Sequence, residues 1–161
     1  MEGLGYKDDV AGTPSATQNT LQLIAFSIGE QTYGVEITTV REIRAWNGAT
    51  PLPNTREFVR GVINLRGTIV PIFDLRARFG EGQTSPTKNH VVVVMSVGEK
   101  WVGILVDAVS DILTVPKDEI HNVPEGNSID MELLNGIVTH ESRMVGLIDL
   151  HAIVSGAKLD A

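Results

Sequence analysis

From residue 20 onward, short apolar runs broken by turn residues dominate the chain, and no long helical periodicity competes with them. Residues 21–28 are mostly apolar, Gly29-Glu-Gln-Thr32 supplies a tight turn, and Tyr33-Gly-Val-Glu-Ile37 is apolar again. Runs of this kind, bounded by glycine and polar residues, predict a β-hairpin. One helical turn is expected over 38–42, before the chain runs on through Ile43. Pro51 and Pro53 punctuate. Asn54-Thr-Arg-Glu57 has the form of a capping box and predicts a short helix through Val59. Residues 61–65 and 68–73 predict a second hairpin around Arg66-Gly67. Asp74 is placed to cap a short helix over 75–79, stopped by Gly80. Residues 81–89, with Gly82, Ser85 and Pro86, read as a linker.

After that linker the pattern returns. With a shift of 69, residues 24–43 lie on 93–112 without a gap, and six of the twenty positions are identical. The identities are Ser27/Ser96, Gly29/Gly98, Glu30/Glu99, Gly34/Gly103, Val40/Val109 and Ile43/Ile112. With a shift of 75, residues 58–75 lie on 133–150, where Gly61 meets Gly136, Val70 meets Val145, and Asp74-Leu75 meets Asp149-Leu150. The shifts differ by six, so one six-residue insertion between 113 and 132 reconciles them. Gly61, Gly67 and Gly136 are read as structural turn glycines, and Asp74 and Asp149 as helix caps.

Each unit then holds about five short strands in some 65 residues, the size of a small closed barrel. The expected fold is all-β: two tandem five-stranded barrels with short helical turns. The expected boundaries are a disordered tail over 1–19, barrels over 20–80 and 90–154 joined by the linker 81–89, and a C-terminal tail over 155–161. Units this small bury little surface alone, so the two should share a core. The unbroken Val91–Val94 run fits strands buried on both faces. The pattern leaves open whether a strand crosses between the barrels.

Composition removes several alternatives. The chain has 161 residues, no cysteine and a net charge of −7. Thiol catalysis, disulfides and thiolate metal sites are thereby excluded. No segment has the length of a membrane span, and the N-terminal stretch lacks the apolar core of a signal peptide, so a cytoplasmic protein with no direct membrane insertion is expected. A pI near 5.0 argues against nucleic acid. The charge is uneven: residues 56–78 carry five arginines against Glu57 and Asp74 and sum to +3, leaving −10 elsewhere.

Candidate chemistry is sparse. The four histidines are scattered without metal-ligand spacing, no Gly-x-Ser-x-Gly elbow occurs, and Gly80-Glu-Gly82 is no phosphate loop. No enzyme activity, metal or cofactor is expected. Met95, Met131 and Met144 read as core fillers. Trp101 takes the place of Thr32 in the duplicated hairpin, and Trp46 belongs to a packed loop. The second hairpin tips differ most between the copies: Asn64-Leu-Arg-Gly67 against Thr139-His-Glu-Ser142. Arg66 is either a neutral surface choice or a specific contact. A double barrel with one cationic hairpin is the profile of an interaction module.

Three stretches carry a family resemblance: 60–76 (RGVINLRGTIVPIFDLR), 26–43 and 102–111. Together they resemble the signature of the CheW family of chemotaxis coupling proteins, and the likeness extends from about residue 21 to 154. The resemblance implies two SH3-like barrels and a non-catalytic role in signal transduction. It implies an adaptor bridging the cytoplasmic tips of methyl-accepting chemoreceptors to the histidine kinase CheA, whose regulatory domain has the same double barrel. It further implies a receptor-binding groove between the barrels, at Ile37, Val40, Glu42, Asn64 and Arg66, with Val91, Val109 and Ile112 from the second unit. The groove would take an amphipathic helical hairpin, with apolar walls and a few charges setting register. Glu42 and Arg66 could instead pair with each other and merely hold the hairpin. Kinase contacts would use the barrel ends, and a monomer is expected outside the receptor array. An adaptor of a non-flagellar chemosensory pathway, or a generic SH3-like protein-binding module, remains open.

Overall fold

The computed structural model describes residues 19–124 and 132–155. Most of the expected N-terminal tail, Met131 and most of the C-terminal tail lie outside them. Among the described residues ten strands form in chain order: β1 (Thr20–Ile28), β2 (Gln31–Glu36), β3 (Val40–Ala45), β4 (Val59–Leu65), β5 (Thr68–Asp74), β6 (Val91–Val97), β7 (Lys100–Val106), β8 (Ala108–Pro116), β9 (Leu134–His140) and β10 (Arg143–Ile148). Two short helices follow the terminal hairpins of the repeats, α1 (Leu75–Arg78) and α2 (Leu150–Val154), and 3₁₀ turns lie at Ile37–Thr39 and Lys117–Glu119.

The strands form two five-stranded sheets, ordered β8-β1-β2-β10-β9 and β3-β6-β7-β5-β4. We call them barrel 1 and barrel 2. Under the internal duplication β1 corresponds to β6, β2 to β7, β3 to β8, β4 to β9 and β5 to β10. Each barrel therefore takes its first hairpin from one repeat and its other three strands from the other. This corrects the expected division into contiguous barrels over 20–80 and 90–154. The exchange is closed by parallel pairs, β2 with β10 and β5 with β7. Local pattern specifies strands, but the repeats carry equivalent edges, so it does not say which copy's hairpin an edge will accept.

Three apolar cores follow from this layering. Leu23, Ala25, Leu113, Val115, Val138, Val145 and Leu147 fill barrel 1. Leu65, Val70, Ile72, Val92, Val94 and Leu105 fill barrel 2, with Trp46 and Trp101 packed against them. The largest core lies between the barrels and joins Phe26, Tyr33 and Val35 of one sheet to Phe73, Val93, Met95 and Ile104 of the other. Along β6, Val92 and Val94 point into barrel 2, while Val93 and Met95 point into the shared core. Both faces are buried, and this is why alternation fails there.

The terminal hairpins keep the same turn geometry. Arg66 and Gly67 have φ of 51° and 90°, and Glu141 and Ser142 have 51° and 68°. Two successive positive φ values mark the turn that matches the twist of a two-residue hairpin. After each hairpin an aspartate caps a helix: the Asp74 carboxylate accepts from the Ala77 amide, and that of Asp149 from Ala152.

Four expectations fail locally. Residues 54–59 form no helix. Asn54 has φ of 60°, outside the extended geometry an N-cap requires, and β4 begins at Val59. The helical turn expected over 38–42 shrinks to the 3₁₀ turn, because Val40 and its successors pair with β6. Gly61 and Gly136 are not turn glycines. They lie inside β4 and β9, where another segment crosses closely. A Cβ on Gly61 would collide with the Thr50 carbonyl, and one on Gly136 would come 2.8 Å from the Ile120 side chain. Met144 is 63% exposed on β10 and fills no core.

Candidate functional site

Ile37, Val40, Val91 and Val109 are all half-buried, and each packs against the core between the barrels, Val40 and Val91 at opposite ends of the β3–β6 ladder and Val109 on β8. Val40 pairs with Met95 and Val109 with Phe26, so each follows a core strand out to its rim. Three residues further along the same faces stand Ile43, 44% exposed, and Ile112, 59% exposed. These are equivalent positions of the duplication, identical in both copies. The rim of the shared core is thus apolar on β3 and again on β8.

The polar candidates gather at the end of barrel 2. Glu42 lies on β3 opposite Val94, and Arg66 at the β4–β5 tip reaches across to it, with its guanidinium nitrogen 2.7 Å from the carboxylate. The Glu42 side chain is 25% exposed and that of Arg66 69%. Arg44 approaches the other Glu42 oxygen at 3.5 Å. Asn64 serves the turn itself: its side-chain oxygen accepts from the Gly67 amide at 2.8 Å. So Glu42 and Arg66 do pair, and the pair ties a hairpin tip to the edge strand opposite. Enough of Arg66 stays in solvent for an arriving partner to compete for it. In the other copy the equivalent positions are Asp111 and Glu141, and no such bond can form.

Sequence reasoning passed over Ile43 and Ile69. Ile69 is 58% exposed just after the Arg66-Gly67 turn, and its counterpart under the duplication is the exposed Met144. Four of the most exposed large apolar side chains therefore form two equivalent pairs, Ile43/Ile112 and Ile69/Met144. The identity of Ile43 and Ile112 in the repeat alignment was the available signal for the first pair.

Elsewhere the polar side chains hold the fold. Asp74 is fully buried and accepts from the Thr84 amide and hydroxyl, each at 2.7 Å, with Arg60 at 3.6 Å. Thr84 lies in the segment read as a linker, which is therefore pinned rather than loose. Asp107 accepts from the Gly29 amide at 2.7 Å, with Arg76 at 3.4 Å and His90 at 3.5 Å. Arg78 clamps α2, donating to the carbonyls of Ile153 and Ala152 at 2.9 Å while its guanidinium lies 4.7 Å over the Phe58 ring. Burial pushes the Arg78 guanidinium down from its usual range, opposed by the charge of Glu132. Among the described residues no group of three or more His, Asp or Glu could hold a metal ion, and no helix is long and apolar enough to cross a membrane.

This arrangement of two exchanged barrels about a shared core has a counterpart among known proteins. The profile of the CheW-like domain matches residues 22–158. The chain belongs to the CheW-like family. It is 46% identical to the probable chemotaxis protein CheW of Rhizobium etli over 148 residues, covering 91% of this chain and 96% of that protein. It is 36% identical to the chemotaxis protein CheW of Klebsiella aerogenes, covering 99% of this chain and 94% of that one. The crystal structure of the scaffolding protein TtCheW from Thermoanaerobacter tengcongensis superposes with a TM-score of 0.78 at 32% identity, over 84% of this chain and 88% of the other. CheW-like proteins are non-catalytic scaffolds with two SH3-like barrels, in agreement with the two sheets described above.

Proposed function

We propose that this chain is a cytoplasmic chemotaxis adaptor that couples the tips of methyl-accepting chemoreceptors to the histidine kinase CheA. The observation that carries the proposal is the duplicated apolar rim of the shared core, bordered in barrel 2 by the Glu42–Arg66 pair. An amphipathic helix docking there would cover Ile37, Val40 and Ile43 and would find charges of both signs beside them. The equivalent rim at Val109 and Ile112 on β8 offers a second wall, while Val91 lies beside Ala45 of β3. Kinase docking falls to the hairpin ends, where Ile69 and Met144 present apolar side chains at equivalent places on the two barrels. A double-barrelled partner domain can meet such ends one barrel at a time.

Binding of receptor cytoplasmic fragments tests the first half of this reading. Arg66→Glu should weaken it by about 2 kcal/mol, roughly thirtyfold, if Arg66 is a central contact. That change also places two carboxylates side by side, so the doubly exchanged Glu42→Arg/Arg66→Glu chain is the control. It restores the internal pair. Binding that stays lost in the double exchange supports a direct contact. Binding that returns to the native level leaves Arg66 as a brace for the hairpin and removes it from the docking site.

A further inference from the structure

Barrel 2 is not closed by its own hydrogen bonds. Its sheet order leaves β3 and β4 as the two edges, and neither pairs with the other. One bridge crosses near their ends, where Thr50 and Val62 exchange both backbone bonds at 2.8 and 2.9 Å. Peptide groups alternate in direction along a strand. Since those of Val62 point into the gap, those of Asn64, two residues on, point there as well. On β3 the Trp46 amide donates to His90 of the neighbouring segment, so Trp46 and Arg44 face β6. Ala45 and Ile43 then turn their N–H and C=O groups into the gap. Two edges thus look at each other across an opening, with backbone donors and acceptors aimed inward.

The opening has volume. A cleft of about 460 Å³ is lined by Val62, Ile63 and Asn64 of β4, by Arg44 and Ala45 of β3, by residues 47–50 of the segment that runs on from β3 to the bridge, and by Val92. The Thr50–Val62 bridge limits it at one end and the Glu42–Arg66 pair at the other. From Val62 to Leu65 that is room for about three extended residues at ~3.3 Å each. Arg44 is the one charged residue lining the cleft. Its carboxylate partner is 3.5 Å away and already holds Arg66 at 2.7 Å, so the Arg44 charge is incompletely answered.

We propose that this seam is a second docking site, in which an extended segment of a partner protein with an acidic side chain adds as a strand between β3 and β4. Strand addition draws its affinity from main-chain bonds to a free sheet edge, and here both sides of the incoming strand meet such an edge. A helix keeps its backbone groups for itself and cannot use them. The acidic side chain falls beside Arg44, and the residues flanking it cover the half-buried Ile63. The site adjoins the apolar rim of the shared core along β3, where Ile43 turns its side chain to the rim and its peptide groups to the gap, and it does not depend on the adaptor reading.

The test pans a displayed library of random heptapeptides against the full chain, then titrates the enriched peptide into ¹⁵N-labelled protein. The expected result is enrichment of sequences with an acidic centre. The amides of Ile43, Ala45 and Asn64 should shift and become protected from hydrogen exchange. Ala45→Pro removes a donor that faces the gap and leaves the β3–β6 ladder intact. It should weaken the peptide about tenfold, the loss of one main-chain bond. Arg44→Glu should weaken it as well. The proposal is overturned if no peptide is enriched, if the enriched peptides are basic, or if the shifts map to Ile37, Val40 and Val109. Equal binding by a folded Ala45→Pro chain also overturns it. Should that variant not fold, the map of shifts on the unaltered chain decides.

Discussion

Asp74 and Asp149 occupy equivalent positions and cap equivalent helices, yet their removal should cost very different amounts. Asp149 is half-buried and accepts from Ala152 at 3.2 Å. Replacing it by alanine removes an ordinary cap, worth about 1 kcal/mol. Asp74 has no exposed surface, and its two oxygens take the Ala77 amide, the Thr84 amide and the Thr84 hydroxyl, with Arg60 beside them. Asp74→Ala leaves the two buried Thr84 donors without an acceptor, and it takes the carboxylate from beside the Arg60 guanidinium, which keeps its bond to the Thr84 carbonyl at 3.1 Å. Breaking a buried, hydrogen-bonded charge pair costs about 3–5 kcal/mol. Urea unfolding followed by the fluorescence of Trp46 and Trp101 should give Asp74→Ala a loss about three times that of Asp149→Ala, with the slope unchanged. For a chain of this size the extra 2 kcal/mol or more lowers Tm by at least about 4 °C beyond the Asp149 variant. Equal losses would refute the reasoning, because they would mean that the Thr84 and Arg60 contacts contribute nothing to the folded state.

Three further outcomes follow from the same geometry. Ser142 sits at φ 68° where the other copy has Gly67, so Ser142→Gly should stabilise by about 1 kcal/mol, seen as a higher Tm. Gly61 has φ 137° with the Thr50 carbonyl against it, so Gly61→Ala should cost at least about 2 kcal/mol in urea unfolding. Arg78→Ala removes the clamp on the α2 carbonyls and should cost about 2 kcal/mol, with hydrogen exchange accelerating at Ile153 and Ser155.

Features set by neighbours in the chain were legible before the structure. The hairpin at Arg66-Gly67 and the caps at Asp74 and Asp149 depend on a few adjacent residues, and each stands where expected. Features set by distant partners were not. The exchange of strands between barrels leaves no mark on local pattern, because both repeats present the same edges. Asn54 satisfied the composition of a capping box, but a cap also needs extended backbone, which the turn before β4 denies it. Met144 lies in a run of apolar neighbours, yet strand parity sends it outward while Val145 goes in. Candidate residues inferred from likeness, such as Val40 and Val109, do border one core, whereas Asn64 is occupied with its own turn. The edges that face each other across barrel 2 became visible once the sheet order was known.

The central claim is that this scaffold joins a receptor to a kinase. The most direct test mixes the purified chain with its cognate CheA and a receptor cytoplasmic fragment, measures co-elution, and follows kinase autophosphorylation. One complex containing all three proteins is expected, with receptor control of the kinase present only when the chain is added. Ile43→Asp should remove the receptor from that complex while Ile69→Asp removes the kinase. A folded chain that binds neither partner, or a kinase equally responsive without it, would contradict the account.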